Sequence, residues 1–207
     1  MNPRPIPPRA IRRRGLGSGG DKMMNTTRIR LRPLEREDLP RYVAWFSDPE
    51  VRRFLARYLP LSMAGEEKWF EEMLTRPEDE RPLAVDLHAG EGAWRHIGGA
   101  GYHSLDWRNH SAEVGIAIGE KSLWNQGLGT EVMETLLHHG FETLNLHRVF
   151  LRVFAANRRA QRTYEKAGFV LEGRMRQAEF REGAYQDVLL YSVLRDEWRS
   201  RAAAQAR

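Results

Sequence analysis

The chain contains no cysteine. That excludes disulfides, thiolate metal sites and a cysteine nucleophile. No segment approaches the ~20 consecutive apolar residues of a membrane-spanning helix. The N-terminus lacks the apolar stretch of a secretory leader, so a cytoplasmic protein is expected. Metal-ligand spacing is missing too. The seven histidines are scattered, and the adjacent His138 and His139 cannot share a helix face, so no metal is expected. A general basic excess is also absent. The net charge is +5, yet residues 1–24 hold five Arg and one Lys against one Asp, which leaves the remainder neutral. Nucleic acid is therefore expected only through that arm.

What remains is ordinary for a globular chain: 207 residues, 41% hydrophobic and 29% charged, enough for one domain with a sizeable core. Four Pro, four Gly and a basic run mark residues 1–24 as a disordered arm. The domain is expected over 25–198, with a fraying tail over 199–207.

Within the domain, TTRIRLRPL (26–34) alternates like a strand. EREDLPRYVAWFSD predicts a helix, PEVRRFLARYL a short second one, and SMAGEEKWFEEMLTR a third with Ser62 as N-cap. PLAVDL and RHIGGAGYHSLD predict two strands joined by a turn, and AEVGIAIG (112–119) a fourth strand. An amphipathic helix is expected over 130–143, a strand over 147–155, and a helix over 157–168 capped by Asn157 and Gly168. Two strands around REGA close the chain as a hairpin. This order implies a mixed sheet with helices on its faces.

The stretch WNQGLGT, Trp124 to Thr130, sits where a helix begins. The first amides of a helix have no internal partner, and its dipole is positive at that end. Glycines there let a phosphate approach the backbone. A plain strand-to-helix connection has the same pattern, so the flanking sequence must decide.

That flanking sequence resembles the GCN5-related N-acetyltransferases (GNAT) over about residues 27–198. The strand AEVGIAI, the turn WNQGLGTEV and the run VFAANRRAQRTYEKAGFVLEG carry the likeness. The family's signature is Gln/Arg-x-x-Gly-x-Gly/Ala. Gly127 and Gly129 fit it, while Trp124 stands at the Gln/Arg position. That departure resembles the ribosomal-protein N-terminal (Rim-type) acetyltransferases. The second half is similar to spermidine acetyltransferases as well.

The resemblance implies an α/β (α+β) GNAT fold: a mixed, mostly antiparallel seven-stranded sheet with helices on both faces. It implies acetyl-CoA as co-substrate, with the pyrophosphate on the turn Trp124, Asn125, Gln126, Gly127, Leu128, Gly129 and Thr130. Pantetheine is expected between splayed fourth and fifth strands, along Ile116, Ala117 and Ile118. Gly115 is read as a bulge there or as a packing glycine. A backbone amide near Ala117 or Ile118 is the expected oxyanion donor. Asn157 is expected on the CoA arm, and Arg162, with Arg158 and Arg159, toward the 3′-phosphate.

Acetyl transfer needs a neutral amine and a proton for the departing thiolate. The resemblance makes Tyr164 that acid; as spacing alone, it is equally part of an apolar helix stripe with Ala160 and Ala167. Glu113 is the candidate base, directly or through water, and His103 the alternative. The acidic stretch EEKWFEE, Glu66 to Glu72, is either a lure for a cationic substrate or a solvated helix face, with Glu66 and Glu67 expected in the first turn, where carboxylates are favourable anyway. Trp45, Phe46, Trp69 and Trp107 are weighed as acceptor-pocket or core aromatics.

The expected activity is direct acetyl transfer from acetyl-CoA to a primary amine, in first place a protein N-terminal α-amine. A polyamine such as spermidine, or an aminoglycoside, is the alternative acceptor. A module that binds acyl-CoA without turnover is the non-enzymatic one. The expected partner is the amine acceptor; a homodimer is allowed for.

Overall fold

The computed structural model describes residues 24–55 and 57–205. The arm expected over 1–24 lies outside these residues apart from Met24. Seven strands form one sheet in the order β1-β2-β3-β4-β5-β7-β6. They are β1 (Ile29–Pro33), β2 (Leu83–His88), β3 (Trp94–Asp106), β4 (Ser111–Ile118), β5 (Arg148–Phe154), β6 (Val170–Arg181) and β7 (Ala184–Leu194). Every pairing is antiparallel except β4 with β5. The helices are α1 (Leu39–Ser47), α2 (Pro49–Arg52), α3 (Met63–Leu74), α4 (Leu128–Glu142), α5 (Arg158–Ala167) and α6 (Arg195–Gln205).

Two apolar clusters lie on opposite faces of the sheet. Neighbouring residues of β2 show this: Val85 joins the cluster of α4 and α5, and Ala84 joins that of α1 and α3. α4 buries Val132, Met133, Leu136, Leu137 and Phe141 at helical spacing. Each such burial contributes about 1.5–3 kcal/mol. Truncating the fully buried Leu136 to Ala removes that contact and leaves a cavity, at a cost of about 2–5 kcal/mol.

Caps explain most helix ends. The Ser62 hydroxyl accepts from Gly65 N (3.1 Å), and Asn157 Oδ1 accepts from Ala160 N (3.2 Å). Gly168 closes α5 at φ 103°, a conformation glycine adopts without penalty. The chain before α1 is tied to the sheet by buried charge. Arg32 donates to both oxygens of Asp38 (2.7 and 2.8 Å) and to Asp86 (2.9 Å). That pairing, with His96 beside it, holds Asp38 well below the usual carboxylate range.

Two local expectations differ from the structure. The second helix, expected along PEVRRFLARYL, stops at Arg52. Arg181 takes the carbonyls of Leu55 and Arg57, so these do not serve helical amides. The tail expected over 199–207 is, through Gln205, the second half of α6. Trp198 packs on Phe141 (ring centroids 5.4 Å apart), and Arg199 pairs with Glu142 (3.2 Å), docking that helix on α4.

Candidate active site

β4 and β5 pair only at Ser111–Glu113 with Arg148–Phe150. Beyond that they separate, and a cavity of about 960 Å³ opens between them. One half faces α4 and α5. The other faces α1, α3 and the far ends of β5 and β6.

The first half is built on the turn after β4. Trp124 Nε1 donates to Ile118 O (2.8 Å), and the Arg159 guanidinium lies over the indole at 3.5 Å from its centroid. Asn125 (φ 63°) and Gly127 (φ 80°) are left-handed. Gly127 is therefore the N-cap, and α4 begins at Leu128, two residues earlier than periodicity predicts. The first intrahelical bond runs from Glu131 N to Gly127 O (3.2 Å), so the amides of Leu128, Gly129 and Thr130 precede the ladder. Gly129 serves a different need. A Cβ there would stand 3.2 Å from Thr163 Cγ2, so its absence lets α5 approach the turn. Gln126 donates to Ser122 O (2.8 Å), and Arg28 reaches Gln126 O (3.3 Å) while pairing with Glu131 (2.6 Å).

α5 turns Arg159, Arg162, Thr163 and Lys166 toward the cavity. Arg158 points elsewhere, donating to Gln161 Oε1 (3.1 Å), and does not line it. Lys166 was not singled out from the sequence; its spacing from Arg159 and Arg162 on one helix face is the signal. Asn157 lines the cavity while it caps α5. These unpaired amides, two left-handed turn residues and three cations fit a polyphosphate.

Ile116, Ala117 and Ile118 line the cavity along β4. Gly119 N donates to Ile97 O (2.9 Å), toward β3. Strand alternation therefore turns Ile118 to the side from which β5 has departed. Its carbonyl is taken there by Trp124.

Tyr164 lines the cavity from α5, 8% exposed, its ring edge-on to Phe169. Burial pushes its phenol up to about 12, so it is protonated at neutral pH.

Gly115 is not a bulge. It pairs in register with Gly101, and an added Cβ would meet His103 Nε2 at 2.9 Å. The missing side chain makes room for the imidazole. His103 is exposed and lines the cavity, and partial desolvation by the surrounding protein lowers its pKa. Arg76 lowers it further, and Glu113 opposes both. Both oxygens of Glu113 accept from Arg152 (2.8 and 3.0 Å). Nothing in the sequence pairs residues 113 and 152; the β4–β5 alignment does.

Of the four glutamates in EEKWFEE, Glu66 turns inward, and Glu67, Glu71 and Glu72 are exposed. Glu66 is 2% exposed, lines the cavity, and its Oε1 is buried with no hydrogen-bond partner among the described residues. Burial raises its pKa, opposed by Arg57. Phe46 and Trp69 line the same half. Trp45 instead packs against Gly119 and His96, and Trp107 is 47% exposed on the β3–β4 hairpin. Among the described residues no group of three or more acidic or histidine side chains could hold a metal, and no helix is long and apolar enough to cross a membrane.

The comparisons agree with this geometry. The family model "Acetyltransferase (GNAT) domain" matches residues 28–170. An uncharacterised N-acetyltransferase of Bacillus licheniformis is 27% identical over 84% of this chain and 96% of its own. The ribosomal-protein-serine acetyltransferase of Escherichia coli is 32% identical over 48% of this chain and 55% of its own. The crystal structure of spermidine N-acetyltransferase from Vibrio cholerae with CoA and spermine has a TM-score of 0.76 and 25% identity, covering 84% of this chain and 99% of that one. With the family model spanning most of the chain, the protein belongs to the GNAT acetyltransferases, acyltransferases that use acetyl-CoA.

Proposed function

We propose that the protein acetylates a protein N-terminal α-amine. The observation that carries this is the charge of the acceptor half. Its lining carries Glu66, Glu113 and Glu179 against Arg57 and Arg152, a net charge of one negative among the described residues. A single ammonium matches that; a polyamine, with several, matches it poorly. An α-amine, with a pKa near ~8, also loses its proton more readily than an alkyl amine near ~10. The ribosomal-protein relative supports the same class of acceptor.

Acetyl-CoA supplies the activated acetyl group. The amides of Leu128, Gly129 and Thr130, with Arg159, Arg162 and Lys166, hold its phosphates at the helix mouth. Trp124 and Asn125 shape that turn, Asn157 lies along the arm, and Ile116, Ala117 and Ile118 form the wall beside it. The amide of Ile118, facing the side left by β5, is the donor for developing negative charge on oxygen.

His103 is the base in preference to Glu113, because Arg152 occupies both carboxylate oxygens. Its lowered pKa keeps the imidazole neutral at pH 7, ready to take the ammonium proton. Glu113 beside it stabilises the imidazolium that forms. Tyr164, protonated at neutral pH, gives its hydroxyl proton toward the departing sulfur.

A second reading, a polyamine acceptor, draws on the likeness to the spermidine enzyme over 84% of this chain. A peptide with a free N-terminus and an internal Lys separates the two. Mass spectrometry of the product is expected to place one acetyl group on the α-nitrogen. Acetylation of spermidine with the peptide untouched would overturn the proposal.

A further inference from the structure

Every other carboxylate of the acceptor half has a partner. Glu113 is bound by Arg152, and Glu179 accepts from the Tyr58 hydroxyl (3.2 Å). Glu66 has none among the described residues, and it is the most deeply buried of the three. A first-turn position on α3 favours a solvated carboxylate. It does not explain one turned inward among Tyr42, Phe46 and Trp69, where an unpaired carboxylate is costly. Its cationic neighbour, Arg57, makes no ion pair with it. Such a group is expected where a ligand brings the missing charge.

We infer that Glu66 is the acceptor-selecting residue: its carboxylate receives the incoming ammonium and holds it in the apolar end of the cavity until His103 takes the proton. This rests on the amine acceptor of the proposed function and names what recognises it. The aromatic wall admits the carbon next to the nitrogen, and the buried carboxylate rejects a neutral or anionic group in its place. A cationic donor relieves the unpaired oxygen more strongly than a neutral one. An N-terminus already acetylated carries no such cation, so the product leaves Glu66 unpaired again and release is favoured.

The test is Glu66→Gln, which keeps shape and removes charge, with Glu66→Asp as the conservative partner. KM for a free-N-terminus peptide is expected to rise about ten- to a hundredfold in the Gln variant, since a hydrogen bond to a charged group is lost. KM for acetyl-CoA stays unchanged, kcat changes less than KM, and the Asp variant recovers part of the loss. Titration of the peptide onto CoA-saturated protein is expected to show the same loss of affinity. An unchanged peptide KM, or equal shifts in the KM values of peptide and acetyl-CoA, overturns the inference and leaves the proposed function standing. If spermidine is the substrate turned over, its KM replaces the peptide's. A raised value then keeps Glu66 as the cation anchor while the N-terminal acceptor fails. If neither amine binds to CoA-loaded wild type, both fall.

Discussion

In the half of the cleft that faces α4 and α5, the groups turned inward come from two short stretches, 124–130 and 157–166. They are backbone amides before a helix ladder and cations on one helix face. In the opposite half they are single side chains from α1, α3, β3, β4, β5 and β6, with Arg57 from the segment between α2 and α3. The first half suits a ligand that does not vary, because backbone geometry cannot be changed one side chain at a time. The second half can be altered at Glu66, His103 or Arg152 without disturbing the turn. On the proposed function, the co-substrate is held by the half built on turn amides and one cationic helix face, and the acceptor by the half built from scattered side chains.

Substitutions in both halves sharpen this contrast, in descending order of effect. Tyr164→Phe removes the hydroxyl proposed to protonate the departing sulfur. Its kcat is expected to fall about ten- to a thousandfold with acetyl-CoA affinity spared. Loss of affinity in place of rate would move Tyr164 into the binding surface. His103→Gln is expected to lower kcat/KM for the acceptor about a hundredfold at pH 7. In the wild type, activity falls as pH drops through the His103 pKa, which lies below the ordinary ~6.5, and the variant loses that limb. A limb that survives in His103→Gln assigns the titration to another group. Gly127→Val forces a β-branched residue to φ 80°. An added Cβ there would have only Arg28 nearby, at 3.7 Å, so the penalty is backbone strain and not a clash within the protein. Strain of about 1–3 kcal/mol at the turn is expected to weaken acetyl-CoA binding about ten- to a hundredfold, measured by titration calorimetry.

The smallest effect is on stability. Burial raises the Glu66 pKa in the folded chain, so folding favours its protonated form. The folded state therefore holds the proton more tightly than the unfolded one. The stabilisation is complete below the ordinary value of 4.5 and is lost as pH rises through the raised value. Glu66→Gln is expected to match or exceed wild-type stability at pH 7–8 by about 1 kcal/mol or less, and to lose that advantage toward pH 4. A destabilised variant at pH 8 would mean that Glu66 has a structural partner.

The same contrast explains what was legible in the sequence. The glycine pair at a helix mouth and the capped helix at Asn157 are local features, and both stand where periodicity and capping chemistry put them. The start of α4 was displaced because Gly127 caps it in a left-handed conformation, which periodicity does not register. From the sequence Gly115 is either a bulge or a packing glycine; the position of His103 on the neighbouring strand shows that it is a packing glycine whose place an imidazole fills. Glu66 and Glu67 are identical in type and adjacent in sequence. One is buried in the cleft and the other is solvated, which depends on the packing of α3 against the sheet. The Glu113–Arg152 pair spans 39 residues and exists through strand alignment alone.

The most direct measurement is thiol release from acetyl-CoA, followed against free-N-terminus peptides beginning with Ser, Ala or Met, against spermidine, and against an aminoglycoside. Turnover is expected with at least one peptide and is abolished when its N-terminus is blocked. Tight CoA binding with no acceptor-dependent thiol release from any of these amines would contradict it.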